Sequence, residues 1–540
     1  MTDRRRSRRR RLLATAVAAV AVLLAGCGGG GGDDQAAQAA RTVTVEWGEP
    51  ESPLIPGRTT EQNGGDAIDA LFAGLVRYDP DTGAPSMENA ESVTTTDNRT
   101  FTIRLKPGWT FHDGTPVTSG SYVDAWNWTA DGANAAEAQS FMAKIEGYDA
   151  VSASPPTATT MSGLRVVDPQ TFTVTLTAPF TLFPVTLGYA AYDPLPRRFF
   201  TDRAGFEAAP VGNGEFRFES RTPNQELVLV RNDQYQGTDR PQVQRLVFRD
   251  YSDLQTAYDD VVSGNLDHIR QIPGAALAGG RWRTDLGPGA HLKPGLVTTS
   301  LGVPLYDPRF ANPLVRKAFS MAIDRPTIVA QLFDGVYTPA DGYATPTAEG
   351  YVPNQCGESC TFDPPRARAL LAQAGGFPGP LTLTANADGA NDEWMQAVTS
   401  NLRQNLGVDA QYTPVPSAQD AGRLATAKQY TGLFRNGWQG DYPNIETFLT
   451  QLYRSDSASN SFQYADPAVD QALDRAAAAP SVPAAEAGYA QAERMILDDM
   501  PNIPLWSRPV IYGNGSRLAA GEQSPLNRVA SATFRLTPQP

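Results

Sequence analysis

Cysteine, histidine, basic charge and long apolar runs are all scarce in this 540-residue chain. Its three cysteines and three histidines offer little for a metal: Cys356 and Cys360 stand close together, but no histidine is near them. No metal or other cofactor is expected. Lys and Arg number 45 against 58 Asp and Glu, a net charge of −13 that argues against nucleic acid as a partner. The apolar run Leu12–Ala25 is too short for a comfortable membrane span. No Gly-x-Ser-x-Gly elbow announces a hydrolase nucleophile. Gly212 and Gly214 are followed by no Lys-Ser or Lys-Thr, which removes a phosphate-binding loop.

What is present begins at the amino terminus. Seven arginines fall within the first eleven residues, the apolar run follows, and Leu24-Ala25-Gly26 leads into Cys27. A basic segment, a short apolar segment and small residues before a cysteine read as a secretory signal over 1–26, cleaved before Cys27. Acylation of Cys27 would then tether the protein to the outer face of the cell membrane; the alternative is an uncleaved amphipathic anchor. Cleavage leaves 38 basic against 57 acidic residues, a net charge of −19. Residues 27–40 are Gly-rich and polar, a flexible tether. An exported compartment permits a disulfide between Cys356 and Cys360, closing a small local turn.

The remaining chain is too long for one hydrophobic core, so two or three domains are expected. Thr42–Trp47 alternates β-branched and polar residues as a first strand does. Asp66–Leu75 has helical amphipathicity. Short strands are expected over 92–96, 100–105 and 107–111, then a helix over 121–129 capped by Ser119 or Ser121. Phe172, Val174 and Leu176 alternate inward on another strand. An antiparallel pair is expected over 216–219 and 226–231, and strand–helix alternation over 381–412 marks a second α/β lobe. Val315, Ala318, Phe319 and Ala322 share one helix face, which leaves Arg316 to the solvated side and Asp324 to cap the next helix. His112-Asp113 has the residue types of acid–base chemistry, but Gly114-Thr115-Pro116 continues a turn, and no Ser or Cys nucleophile context lies near.

The most informative stretch is Trp438–Ile445, WQGDYPNI. It places an indole, a lone carboxylate and a phenol within five residues at the end of a predicted strand. A carboxylate can pair with a cationic group while flanking rings exclude water from it. Asp441, Trp438 and Tyr442 are therefore candidate ligand contacts, as is Trp506 further on. The competing reading is a turn whose aromatic residues fill the core.

This stretch also resembles a family motif, Gly-Trp-x-x-Asp-Tyr-Pro. So do Leu71–Asp79 (LFAGLVRYD), Phe101–Val117 (FTIRLKPGWTFHDGTPV), Pro210–Phe216 (PVGNGEF) and Val315–Arg325 (VRKAFSMAIDR). On these segments the chain is similar to the extracytoplasmic solute-binding proteins of ABC importers, family 5, which includes oligopeptide, dipeptide and nickel binders. Asn444-Ile445 departs from the family's usual continuation, and Asn213 and Glu215 replace its usual Thr and Pro. The resemblance implies an α/β, two-lobed periplasmic-binding-protein-like fold (type II, cluster C) with an extra small α+β domain. It implies lobe I from 41–70, 185–295 and 505–540, the additional domain from 71–184, and lobe II from 296–504. It also implies a monomeric binder that closes on its ligand and docks on a membrane permease, with Asp441 pairing with the free amino group of a peptide.

Other readings stay open at this level. The same scaffold could take a metal chelate, a sugar or another amine compound. A secreted hydrolase would need a carboxylate pair such as Asp441 with Glu446 or Asp456, and sequence separation does not supply that geometry. A passive scaffolding lipoprotein would lack ligand-induced closure.

Overall fold

The computed structural model describes residues 41–387 and 391–538. Cys27 and the expected signal and tether, 1–26 and 27–40, lie outside the described residues. Val43–Pro540 forms one compact unit, organised by two long strands, Ala290–Gly302 and Asn502–Asn514. They pair antiparallel in two stretches. Ala290–Lys293 faces Gly513–Val510, and Val297–Gly302 faces Arg508–Asn502, with the register broken between Lys293 and Val297. Pro294 in that break has no N–H to donate. Gly295 beside it passes so close to the partner that a Cβ there would stand 2.5 Å from the Arg508 carbonyl oxygen.

Among the described residues, eleven strands join in one sheet around this pair. On one side of the break the sheet continues through His268–Ile269, Thr42–Trp47, Arg245–Asp250, Glu226–Arg231 and Phe216–Thr222. On the other side it continues through Gly432–Gln439, Leu381–Thr384 and Ala410–Tyr412, the last three paired in parallel. Two half-sheets thus share two continuous strands, which is the physical content of two lobes. The alternation expected for Thr42–Trp47 is real: Val43 and Val45 are fully buried, and Trp47 packs on Phe248 with ring centroids 5.6 Å apart.

A separate four-stranded antiparallel sheet is built from Ala90–Thr95, Thr100–Leu105, Thr171–Thr175 and Leu164–Asp168, in that order. The helix Ser119–Ala130 lies on it, with Tyr122 stacked on Phe172 at 5.8 Å and Trp126 edge-on to the same ring at 5.6 Å. Its N-cap is Thr118, one residue earlier than expected, and Ser121 serves by accepting the Thr118 backbone N–H at 3.2 Å. No strand forms over 107–111. Pro107 lacks a donor and Gly108 has φ +90°, so only a single bridge from Thr110 to Pro116 remains. His112 is structural: its Nδ1 accepts the Gly212 N–H and its Nε2 donates to the Gly214 carbonyl, each at 3.2 Å. Burial pushes the pKa of this ring down to about 4, so it stays neutral.

The expectation for Arg316 is corrected. It is 5 % exposed, not solvated. Its guanidinium donates to the carbonyls of Asp499 and Met500, at the end of the helix Val482–Asp499, and to those of Phe310 and Ala311. Helix carbonyls without intrahelical partners need donors when buried, and this side chain supplies them. Asp324 caps the helix Arg325–Leu332 as expected, accepting the Thr327 N–H at 3.1 Å. Cys356 and Cys360 are joined, with Cα atoms 5.5 Å apart. Among the described residues, no helix is long and apolar enough to cross a membrane.

Candidate functional site

A cavity of about 760 Å³ opens between the end of the strand Gly432–Gln439, the helix Gln62–Leu71 and the segments that flank the separate four-stranded sheet in the chain. Three groups of residues in its lining matter most. The end of the strand Gly432–Gln439 delivers Gly440 and Asp441; the helix Gln62–Leu71 and the segment 524–535 supply Asp69 and Arg528; the chain around 72–80 and 188–193 supplies Tyr78, Tyr189 and Asp193. A buried ion cluster positions the second group. Arg270 bridges Glu46 at 3.0 Å and Asp66 at 2.6 Å, and the other oxygen of Asp66 accepts the Val529 N–H at 3.0 Å. Helix and return segment are thereby held together beneath the cavity.

Asp441 is placed by the helix that follows it, Glu446–Tyr453. The Thr447 hydroxyl donates to Asp441 Oδ2 at 3.0 Å and accepts the Asp441 backbone N–H at 3.2 Å and the Trp438 indole N–H at 3.4 Å. One hydroxyl hydrogen and two lone pairs satisfy all three bonds. Desolvation pushes the Asp441 carboxyl up to about 7; the Thr447 bond and the Arg528 charge pull it down, and Glu446 pushes it further up.

The lining is acidic. Eight carboxyls face three guanidiniums among its described residues. Desolvation raises Glu215 to about 7, partly offset by its bond from the Ser531 hydroxyl and by Arg77. It raises Asp69 to about 6, opposed by Arg528 and reinforced by Asp66. The Asp69 side chain is 39 % accessible, but that surface faces the inside of the cavity, so protein still surrounds its charge. Asp193 is raised as well, by desolvation and then by the charge of Asp69. Such a lining suits a cationic group and disfavours an anionic one.

Of the four residues singled out from the sequence, Asp441 lines the cavity and the three aromatic ones do not. Trp438 is half-buried, its ring against the main core. Tyr442 is 3 % exposed and donates its hydroxyl to Glu446. Trp506 is 1 % exposed, wedged between Phe333 at 5.2 Å and Trp394 at 5.4 Å. Asp69, Asp193, Tyr189 and Arg528 belong to the cavity but carry no local motif, being brought together from far apart in the chain; Glu215, also in the lining, stands in the family-like segment Pro210–Phe216 but was not singled out as a site residue. Among the described residues, no group of His, Cys, Asp and Glu is arranged to hold a metal ion.

Comparison with known proteins bears on this geometry. The model of the bacterial extracellular solute-binding proteins, family 5 Middle, matches residues 84–460. The periplasmic oligopeptide-binding protein OppA of Salmonella typhimurium is 28 % identical over 449 residues, covering 81 % of each chain. The periplasmic murein peptide-binding protein MppA of Escherichia coli is 26 % identical over 464 residues, covering 82 % of this chain and 83 % of that one. The solved structure of the E. coli murein tripeptide binding protein MppA superposes with a TM-score of 0.77 at 24 % identity, over 92 % of this chain and 99 % of that one.

Proposed function

The chain belongs to the bacterial extracellular solute-binding proteins of family 5, and from that premise we propose that it captures oligopeptides or dipeptides outside the cell and delivers them to an ABC permease. The observation that carries the peptide reading is Asp441, a mostly desolvated carboxyl held by Thr447 and facing an acidic cavity of about 760 Å³. That volume falls in the range that holds a drug-sized ligand, roughly 300–1,000 Å³, and a short peptide is such a ligand. The free α-amino group pairs with Asp441, and main-chain hydrogen bonds hold the extended remainder without reading its side chains. The relatives named above are binding proteins, and nothing in this reading calls for catalysis.

The same proposal covers export and anchoring: a signal over 1–26, lipid on Cys27, a tether to residue 40, and a monomer held at the outer face of the membrane. It places the hinge where both long strands change register, at 294–296 and between Arg508 and Val510. With this hinge lobe I takes 41–70, 185–295 and the chain from 509 on, four residues later than the 505 expected from the sequence; lobe II takes 296–508, and 71–184 is the additional domain.

A thermal-shift screen of short peptides tests the reading, since a ligand bound only by the folded state raises Tm with its free concentration. Asp441→Asn should weaken free-amine peptides at least tenfold and leave their N-acetylated forms nearly unchanged. Equal losses for both forms would remove Asp441 from the amine.

A further inference from the structure

Resting on Asp441 as the amine anchor, we propose that Asp69 and Asp193 form a second cation seat in the same cavity, so that the preferred solute is a peptide with a basic side chain close to its free amino terminus. Asp193 is 6 % exposed and lines the cavity. Its backbone N–H is bonded to the Ala190 carbonyl at 3.0 Å. Its carboxylate, by contrast, takes no hydrogen bond and no ion pair from the described residues, and its oxygens open into the cavity. A buried charge without a partner is costly, and protonation does not cure that, because a neutral carboxyl still leaves a donor and an acceptor unpaired. A group of this kind is tolerated where a ligand completes it. Gly74, also in the lining, keeps the space open: a Cβ there would stand 2.6 Å from Asp193 Oδ1.

The neighbouring carboxylate has a long ion pair. Asp69 faces Arg528 Nε at 3.9 Å, while Arg528 Nη1 donates to the Gln62 carbonyl at 2.9 Å and the Glu61 carbonyl at 3.3 Å, which fixes the guanidinium at that distance. Two carboxylates within each other's field repel unless a cation sits between them. The Tyr189 phenol lies in the fields of both Asp441 and Asp69 and is held by stacking on Phe141 at 4.3 Å. The two anionic positions therefore belong to one chamber, close enough for one short ligand to reach both.

The test is calorimetric titration with Lys-Ala-Ala and Ala-Lys-Ala, each against its norleucine counterpart, which lacks only the ammonium group. Cadaverine serves as a non-peptide dication. The wild-type protein should bind the better lysine peptide at least tenfold more tightly than its norleucine form. Asp193→Asn, and independently Asp69→Asn, should erase that preference by weakening the lysine peptide while norleucine affinity stays within twofold. Asp441→Asn should weaken both. Equal affinity for lysine and norleucine peptides, or a preference surviving in both seat variants, overturns the second seat and leaves the peptide reading intact. If no peptide binds but cadaverine binds in an Asp193-dependent way, the seat stands and the peptide reading falls. If none of these amines binds, both fall.

Discussion

At the scale of single residues, the carboxyls of the cavity set a conflict between stability and binding. Asp441 has a native pKa of about 7 against an ordinary 3.8, raised mainly by desolvation. A raised native pKa means that the folded state holds its proton to higher pH than the unfolded chain does. Its contribution to stability is complete below about pH 4 and is lost as pH climbs through about 7. Asp441→Asn removes that loss without a change of shape. The variant should therefore gain in Tm relative to wild type as pH rises from 4.5 to 7, with the difference flat above that. A cationic peptide needs the ionised form, so its stabilisation of wild type should be larger at pH 7.5 than at pH 5. Differential scanning calorimetry across this range checks both expectations, and a Tm difference that does not move with pH would show that Asp441 is already ionised at pH 5. Thr447 and Arg528 both favour the charged form, and Glu446 opposes it.

At the scale of elements, placement depends on polar groups that periodicity alone does not assign. Helical spacing puts Arg316 opposite the apolar face of Val315, Ala318, Phe319 and Ala322, which reads as solvent. The helix Val482–Asp499 ends on that side, and its last carbonyls turn the position into an interior one. Arg316→Met should keep the stem's packing but leave those carbonyls without donors. A loss of about 3 kcal/mol is expected, read as a lower urea midpoint with an unchanged slope. A loss below about 0.5 kcal/mol would mean that water replaces the guanidinium. Thr447 shows the converse: a helix residue near its N-terminal end organises the preceding loop, and through it the Asp441 carboxyl that faces the cavity.

At the scale of the whole molecule, two strands crossing between half-sheets permit rotation without breaking either sheet. The register break at 294–296 interrupts the ladder, so bending there costs less than in the paired stretches on either side. A ligand that touches both sides of the cavity favours the closed arrangement by its differential affinity for it. Small-angle scattering should then show a smaller radius of gyration with any peptide that raises Tm. Unchanged scattering with a stabilising peptide would exclude closure by the hinge proposed here.

The chain by itself determined a good deal. Local runs such as Thr42–Trp47, Thr171–Thr175 and Val315–Met321 specify their elements because a strand's period of two and a helix's of 3.6 are written in adjacent residues. Asp441 was legible for the same reason, since its glycines, proline and aromatic neighbours lie within a few positions of it. Tertiary structure alone decided which aromatic residues line the cavity and which fill the core. Tyr442 and Trp506 look like contact residues in sequence, yet Glu446, Phe333 and Trp394 enclose them. It alone brought Asp69, Asp193 and Glu215 to one chamber with Asp441. Burial and charge coupling fall off over a few ångströms in space and are indifferent to separation along the chain, so no local pattern could have announced them.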